Sequence, residues 1–168
     1  MTAVLRIEHL TKTFPGQVAL SDVSLEVAAG TVHALVGQNG SGKSTLIKIL
    51  AGFHQPDVGG GQAWINEQPL RLGDGEAAIA AGIRFVHQDL GLVGSMNAIE
   101  NIALTAGYLT GAGRHIRWSD EEERTRRALD VVGLAHINIK LPIDALPPSQ
   151  RTAIAIARAL VGWEDGAN

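Results

Sequence analysis

Apolar and polar residues alternate along the first third of the chain as they do in strands. Val4-Leu5-Arg6-Ile7 opens one strand. Val23, Leu25 and Val27 alternate with Ser24 and Glu26 in the period-2 pattern of a second, and Ala29-Gly30 then turns the chain. Val32-His33-Ala34-Leu35-Val36 is a short, nearly continuous apolar run, which predicts a central strand covered on both faces. A helix is predicted from about Lys43, with Leu46, Ile47, Ile49 and Leu50 on its buried side and Gly52 at its end. Residues 57–61 read as a turn and Gln62-Ala63-Trp64-Ile65 as a strand. Asp74 reads as the N-cap of a helix through Ala81, and Gly82-Ile83-Arg84-Phe85-Val86 as a further buried strand.

From Ser95 onward the pattern turns helical. Ser119-Asp120-Glu121-Glu122 predicts a capping box, with Glu122–Arg126 and Glu123–Arg127 spaced to pair along the helix it opens and Gly133 to end it. A last helix is predicted from about Ser149 to Val161. The chain therefore divides into a β-rich part, residues 1–90, and a helical part, residues 91–168.

Composition narrows the chemistry. The 168 residues are 45% hydrophobic and 18% charged, which suits a folded domain and excludes a disordered or highly charged segment. With no cysteine there is no disulfide framework, cysteine zinc site or thiol catalysis. Fourteen basic against seventeen acidic residues give −3, far from the balance of a nucleic-acid-binding domain. No apolar run is long enough to span a bilayer, so any membrane role is expected to come through a partner. Twenty glycines direct attention to loops that need bare backbone.

One such loop carries chemistry. Gly37-Gln38-Asn39-Gly40-Ser41-Gly42-Lys43-Ser44-Thr45 fits G-x-x-x-x-G-K-[ST] between a predicted strand and a predicted helix, the context the motif requires. Its glycines let successive N–H groups converge on phosphate oxygens, and the helix contributes its positive end. Lys43 is expected to reach the β- and γ-phosphates of ATP and the Ser44 hydroxyl to ligate Mg²⁺. The bland alternative is a glycine-rich turn with a chance lysine. Asn39-Gly40-Ser41 also matches a glycosylation sequon, by chance, and Gly59-Gly60-Gly61 lacks a following helix pattern and reads as a turn.

Over nearly its whole length the chain resembles the ATP-binding domain of ABC transporters, and residues 35–46 are very like that family's phosphate loop. The resemblance implies an α/β fold, a P-loop NTPase of the ABC type with a mixed sheet, an antiparallel β part and a helical part. Phe14, in Lys12-Thr13-Phe14-Pro15-Gly16, stands where the family stacks an aromatic on adenine; the alternative is a residue packing under an N-terminal hairpin. Val86-His87-Gln88-Asp89-Leu90 is similar to the family's Q-loop, which makes Gln88 the glutamine that meets Mg²⁺ and the attacking water. Without the resemblance Gln88 reads as an ordinary loop residue, and His87 as a polar residue rather than a metal ligand.

Residues 150–160 resemble the helix after the family's signature, but the signature departs from pattern: Leu146-Pro147-Pro148-Ser149-Gln150 stands for Leu-Ser-Gly-Gly-Gln. The two prolines offer no N–H to a γ-phosphate, so Ser149 and Gln150 are expected to complete the opposite domain's site only in part. The segment 82–90 looks like that of ribose-, xylose- and galactose-type importers, whose two ATPase domains share one chain. The implied partners are permease transmembrane subunits, a second ATPase domain and, indirectly, a periplasmic or lipoprotein sugar-binding protein, with the chain at the cytoplasmic face of the membrane and no nucleic acid involved. Met96, Ile99, Ile102 and Ala103 lie where the family docks its permease, a spacing equally suited to core packing.

The family's Mg²⁺-binding aspartate and catalytic glutamate follow the signature helix. Residues 160–165, with an interrupting glycine and reversed acid order, do not match them, so the domain is expected to be incomplete at its C-terminal end and marginally stable or self-associating alone. Two other readings stay open: a soluble ABC-type ATPase without a permease, and a nucleotide-binding regulatory half that does not turn over.

Overall fold

The computed structural model describes residues 3–162. They form two compact units, one ending at Ile83 and the other beginning at Arg84. Trp163, Glu164 and Asp165, read above as not matching the family's acid pair, lie outside the described residues.

In the first unit, strands β1 (Ala3–Phe14) and β2 (Gln17–Ala28) make a long antiparallel hairpin. β3 (Gln62–Ile65) adds to the other edge of β1 and β4 (Gln68–Leu70) to β3, giving an antiparallel sheet of order β2-β1-β3-β4. β3 has the predicted bounds, and β1 and β2 run well past the predicted stretches. Register shifts break the hairpin between Ile7 and Leu10, where His9 (φ 55°) and Asp22 (φ 52°) adopt left-handed conformations and pair side chain to side chain at 2.6 Å. Helix α1 (Lys43–Leu50) contributes Leu46, Ile49 and Leu50 to the core, which β1, β2 and β3 fill with Ile7, Leu10, Leu20 and Ala63. Ile47, predicted to be buried, is 41% exposed, because the buried stripe of this short helix is set by the three residues flanking it. Gly52 follows in a left-handed conformation, and a Cβ there would run into the backbone of Gly75. Asp74 caps α2 (Gly75–Ala80) as predicted, accepting from the Ala77 N–H at 3.0 Å.

The two apolar runs predicted as buried strands are not strands. Residues 31–38 and 83–87 have no ladder partner among the described residues; Val32 is fully exposed, and Val36 and Val86 are exposed as well. A central strand exists only where neighbours supply its hydrogen bonds, and an apolar run alone does not.

The second unit packs α3 (Ala98–Ala106), α4 (Trp118–Val131) and α5 (Pro148–Leu160) around Ile99, Leu129, Ile137, Ile139, Ile143 and Ile154. Ile99, Ile102 and Ala103 are core side chains, so core packing, rather than a permease-lining role, accounts for that spacing. The predicted box at Ser119 is absent. α4 starts two residues earlier, with Arg117 at the N-cap, and Ser119 Oγ donates to Asp120 instead of capping. The capping box sits at α3, where Asn97 accepts from the Glu100 N–H and Glu100 accepts from the Asn97 N–H. The Glu122–Arg126 and Glu123–Arg127 pairs form at 3.0 Å each. Glu121 is wholly buried; it accepts from the Leu109 N–H and pairs with Arg124, whose guanidinium also donates to the Gly107 carbonyl. That carboxylate ties the loop between α3 and α4 to the helix.

Packing here makes a sharp contrast between neighbours on α5. Ile154→Ala, at a fully buried site, is expected to cost about 2–5 kcal/mol. Ile156→Ala, at a side chain 38% exposed, is expected to cost less than about 1 kcal/mol. Urea unfolding followed by helical circular dichroism checks both.

Candidate functional site

The loop from Gly37 to Gly42 runs into α1 without any side chain capping the helix, so the first-turn N–H groups have no acceptor of their own. Gly42 is the N-cap residue at φ 87°. A Cβ there would strike the Ala19 carbonyl and Leu20 of β2, so the hairpin behind the loop admits only glycine. Gly40 is also left-handed (φ 84°), and space around it is open. The loop closes on itself through the Ser41 N–H and the Gln38 carbonyl at 3.2 Å.

Lys43 turns its ammonium back over this loop, donating to the Gly37 and Gln38 carbonyls at 2.7 Å each and to Ser41 Oγ at 3.2 Å. One cation is thus held at the mouth of an uncapped helix by neutral oxygens. Gly37, Asn39, Gly40, Ser41, Gly42, Lys43, Ser44 and Thr45 follow one another along this loop and the helix start, with Ser44 exposed. Glycine-rich backbone running into an uncapped helix start beneath a lysine is a donor set of the kind that suits an anion. Among the described residues no group of three or more histidine, aspartate or glutamate side chains could hold a metal, so Mg²⁺ would have to be held chiefly by the phosphates, with Ser44 as the protein's oxygen.

Phe14, in the same unit, closes β1 beside the turn to β2. Its ring is half-buried, edge-on to His54 at 5.3 Å, and Lys12 Nζ lies 5.2 Å from its centroid. Asp57 braces this strand end: it accepts from the Thr13 N–H at 3.1 Å and faces Lys12 Nζ at 3.5 Å. The Thr13 N–H, foremost, and the Lys12 charge hold the Asp57 carboxyl below the usual carboxylate range. Asp57 was not anticipated; the sequence marks it only as part of a turn.

Gln88, Ser149 and Gln150 belong to the second unit. Gln88 is exposed on a bend that precedes Asp89. At the start of α5, Pro147 and Pro148 have no N–H, and the Gln150 N–H is taken by the Pro147 carbonyl at 3.0 Å. Of the backbone donors at residues 147–150, the Ser149 N–H remains for an anion, with the Ser149 hydroxyl and the Gln150 side-chain amide beside it. Arg151 holds the turn beneath, donating to the Leu146 and Asp144 carbonyls at 2.8 Å each.

Comparison with known proteins places these features. The family model described as ABC transporter matches residues 20–165. The ribose import ATP-binding protein RbsA 2 of Burkholderia cenocepacia is 38% identical over 166 residues, 95% of this chain and 31% of that protein. The arabinose import ATP-binding protein AraG of Ralstonia nicotianae is 38% identical over 161 residues, 96% of this chain and 30% of that one. The chain thus spans under a third of the length of these curated relatives. Among solved structures, a nucleotide-free ATP-binding cassette from an ABC transporter superposes with a TM-score of 0.75 at 28% identity, covering 95% of this chain and 65% of that one. The ADP conformation of another ATP-binding cassette, MJ1267, gives 0.74 at 26% identity, covering 96% and 65%.

Proposed function

Because the chain belongs to the ABC transporter family, we propose that it forms an ATP-binding part of an importer for a small sugar. The observation that carries this reading is the Lys43 ammonium, held by three loop oxygens over the uncapped start of α1. ATP would draw Lys43 from those oxygens to its β- and γ-phosphates, while the N–H groups of residues 40–45 and the end of α1 take the remaining phosphate charge. Phe14 would offer its free ring face to adenine. Mg²⁺, when bound, neutralises charge that develops between the β- and γ-phosphates. Ser44 supplies a ligand oxygen for it, and Gln88 orients the water through its amide. The sugar class is supported by the two relatives named for ribose and arabinose import and by the likeness of residues 82–90 to such importers.

The same reading assigns partners. Permease transmembrane subunits would hold the chain at the cytoplasmic face of the membrane, a second ATPase domain would face its phosphate loop, and a sugar-binding protein would act at one remove. Among the described residues no helix is long and apolar enough to cross a membrane, which accords with attachment through partners.

A second reading draws on α5. With one N–H and one hydroxyl left at its start, this signature would clamp an opposing γ-phosphate weakly, as in a half that binds nucleotide and supports turnover poorly. On that ground the chain is read as binding Mg-ATP without sustained hydrolysis.

Three outcomes test these statements. Lys43→Ala is expected to weaken ATP binding by about 1.5–3 kcal/mol, the range for a bond to a charged group; equal affinities by calorimetry would refute the loop's role. Phe14→Ala is expected to weaken ATP and ADP alike, by about 1 kcal/mol, since both carry the same base. Purified chain with Mg-ATP is expected to release phosphate no faster than its Lys43→Ala variant, and a Lys43-dependent rate matching a complete transporter would overturn the non-hydrolysing reading.

A further inference from the structure

The mechanism leaves one charged side chain of α5 without a role. Arg158 sits in the last turn of the helix, where a cation ordinarily serves the helix's own terminal carbonyls. Here it reaches elsewhere: its guanidinium donates to the Gly91 carbonyl at 2.7 Å and to the Leu90 carbonyl at 2.6 Å, sixty-seven and sixty-eight residues away in sequence. These carbonyls begin two residues after Gln88. We propose that Arg158 is a positioning residue, whose grip on Leu90 and Gly91 sets the place of Gln88 relative to the helix that starts at the signature. The inference rests on the ATP-binding reading above, since it assigns no role to Gln88 beyond that reading.

Five further hydrogen bonds order this stretch. Asp89 accepts from the Gly91 N–H at 3.1 Å, closing a turn directly behind Gln88. Asn101, a fully buried α3 residue, accepts from the Val93 N–H at 2.8 Å and donates to the Val93 carbonyl at 3.1 Å. The Asp144 N–H donates to the Gly94 carbonyl and the Ile143 N–H to the Met96 carbonyl. Residues 93–96 are thereby tied to the turn that precedes α5 and to α3, while Arg158 ties Leu90 and Gly91 to α5 itself. The planar fork of arginine suits two successive carbonyls, which a lysine's point charge holds with less geometric definition. Burial draws the Arg158 pKa below the ordinary arginine value, yet it remains charged at neutral pH. A cation kept partly out of water and spent on loop carbonyls must be repaid by order in that loop.

The test compares Arg158→Met and Arg158→Lys with wild type, in this chain and in the protein assembled with its partners. In Arg158→Met, amide exchange across residues 89–93 is expected to accelerate about tenfold or more, with α1 and α3 unchanged. ATP affinity is expected to stay within about twofold, because Lys43 and its loop lie in the other unit, while kcat of the assembled protein falls about ten- to a hundredfold at unchanged KM. Arg158→Lys is expected to recover part of both losses. Exchange unchanged from wild type, or ATP affinity lost in step with kcat, overturns the proposal, and so does a normal kcat beside accelerated exchange. Should Arg158→Met fail to fold, the Lys variant carries the same comparison. A wild-type chain that does not bind ATP instead overturns the reading of function, which separates the two failures.

Discussion

The phosphate loop depends on a helix end that is deliberately left open. Any side chain capping α1 would take the N–H groups that the loop presents, and a Cβ at Gly42 would press on the Ala19 carbonyl of β2. The hairpin β1–β2 therefore constrains the loop from behind, and Leu46, Ile49 and Leu50 anchor the helix from below. Lys43 then occupies the open mouth, bound by neutral oxygens. Sheet, helix and cation each serve that one vacancy of hydrogen bonding.

The other helices start differently. α3 is sealed by a complete capping box at Asn97 and Glu100. α5 begins with two prolines, which remove donors by covalent chemistry rather than by capping. Three helix starts, three treatments: open, sealed and blunted. The open and blunted ones coincide with the two segments that resemble nucleotide motifs, and the sealed one lies in the core-facing helix between them.

Local chemistry was legible in the sequence, and pairing was not. The helix start at Lys43, β3 and the Asp74 cap are each written in a few consecutive residues, and each stands where the pattern put it. The runs 32–36 and 82–86 read as strands because an apolar run suggests burial, whereas a strand needs a neighbour that the run does not name. Ser119 failed for a smaller reason: α4 starts two residues early, and the hydroxyl that was to accept a bond donates one to Asp120. Asn97 and Glu100 carried the genuine box at the same spacing, with asparagine in place of serine. Around the site, Phe14 was visible but His54 and Asp57, its neighbours, were not, and Arg158 showed only as a polar residue on a helix with its acceptors far away in sequence.

The buried Glu121 carboxylate and Arg124 latch the loop between α3 and α4 to the helix, together with the Arg117 N–H on the Leu109 carbonyl and the edge-on contact of Tyr108 with Trp118. The exposed Arg114 and Arg117 lie on the span so held. A trypsin-like protease cutting after those arginines must wait for these contacts to part, because cleavage needs extended, released backbone. Nicking there consequently keeps time with local opening of that span rather than with unfolding of the unit.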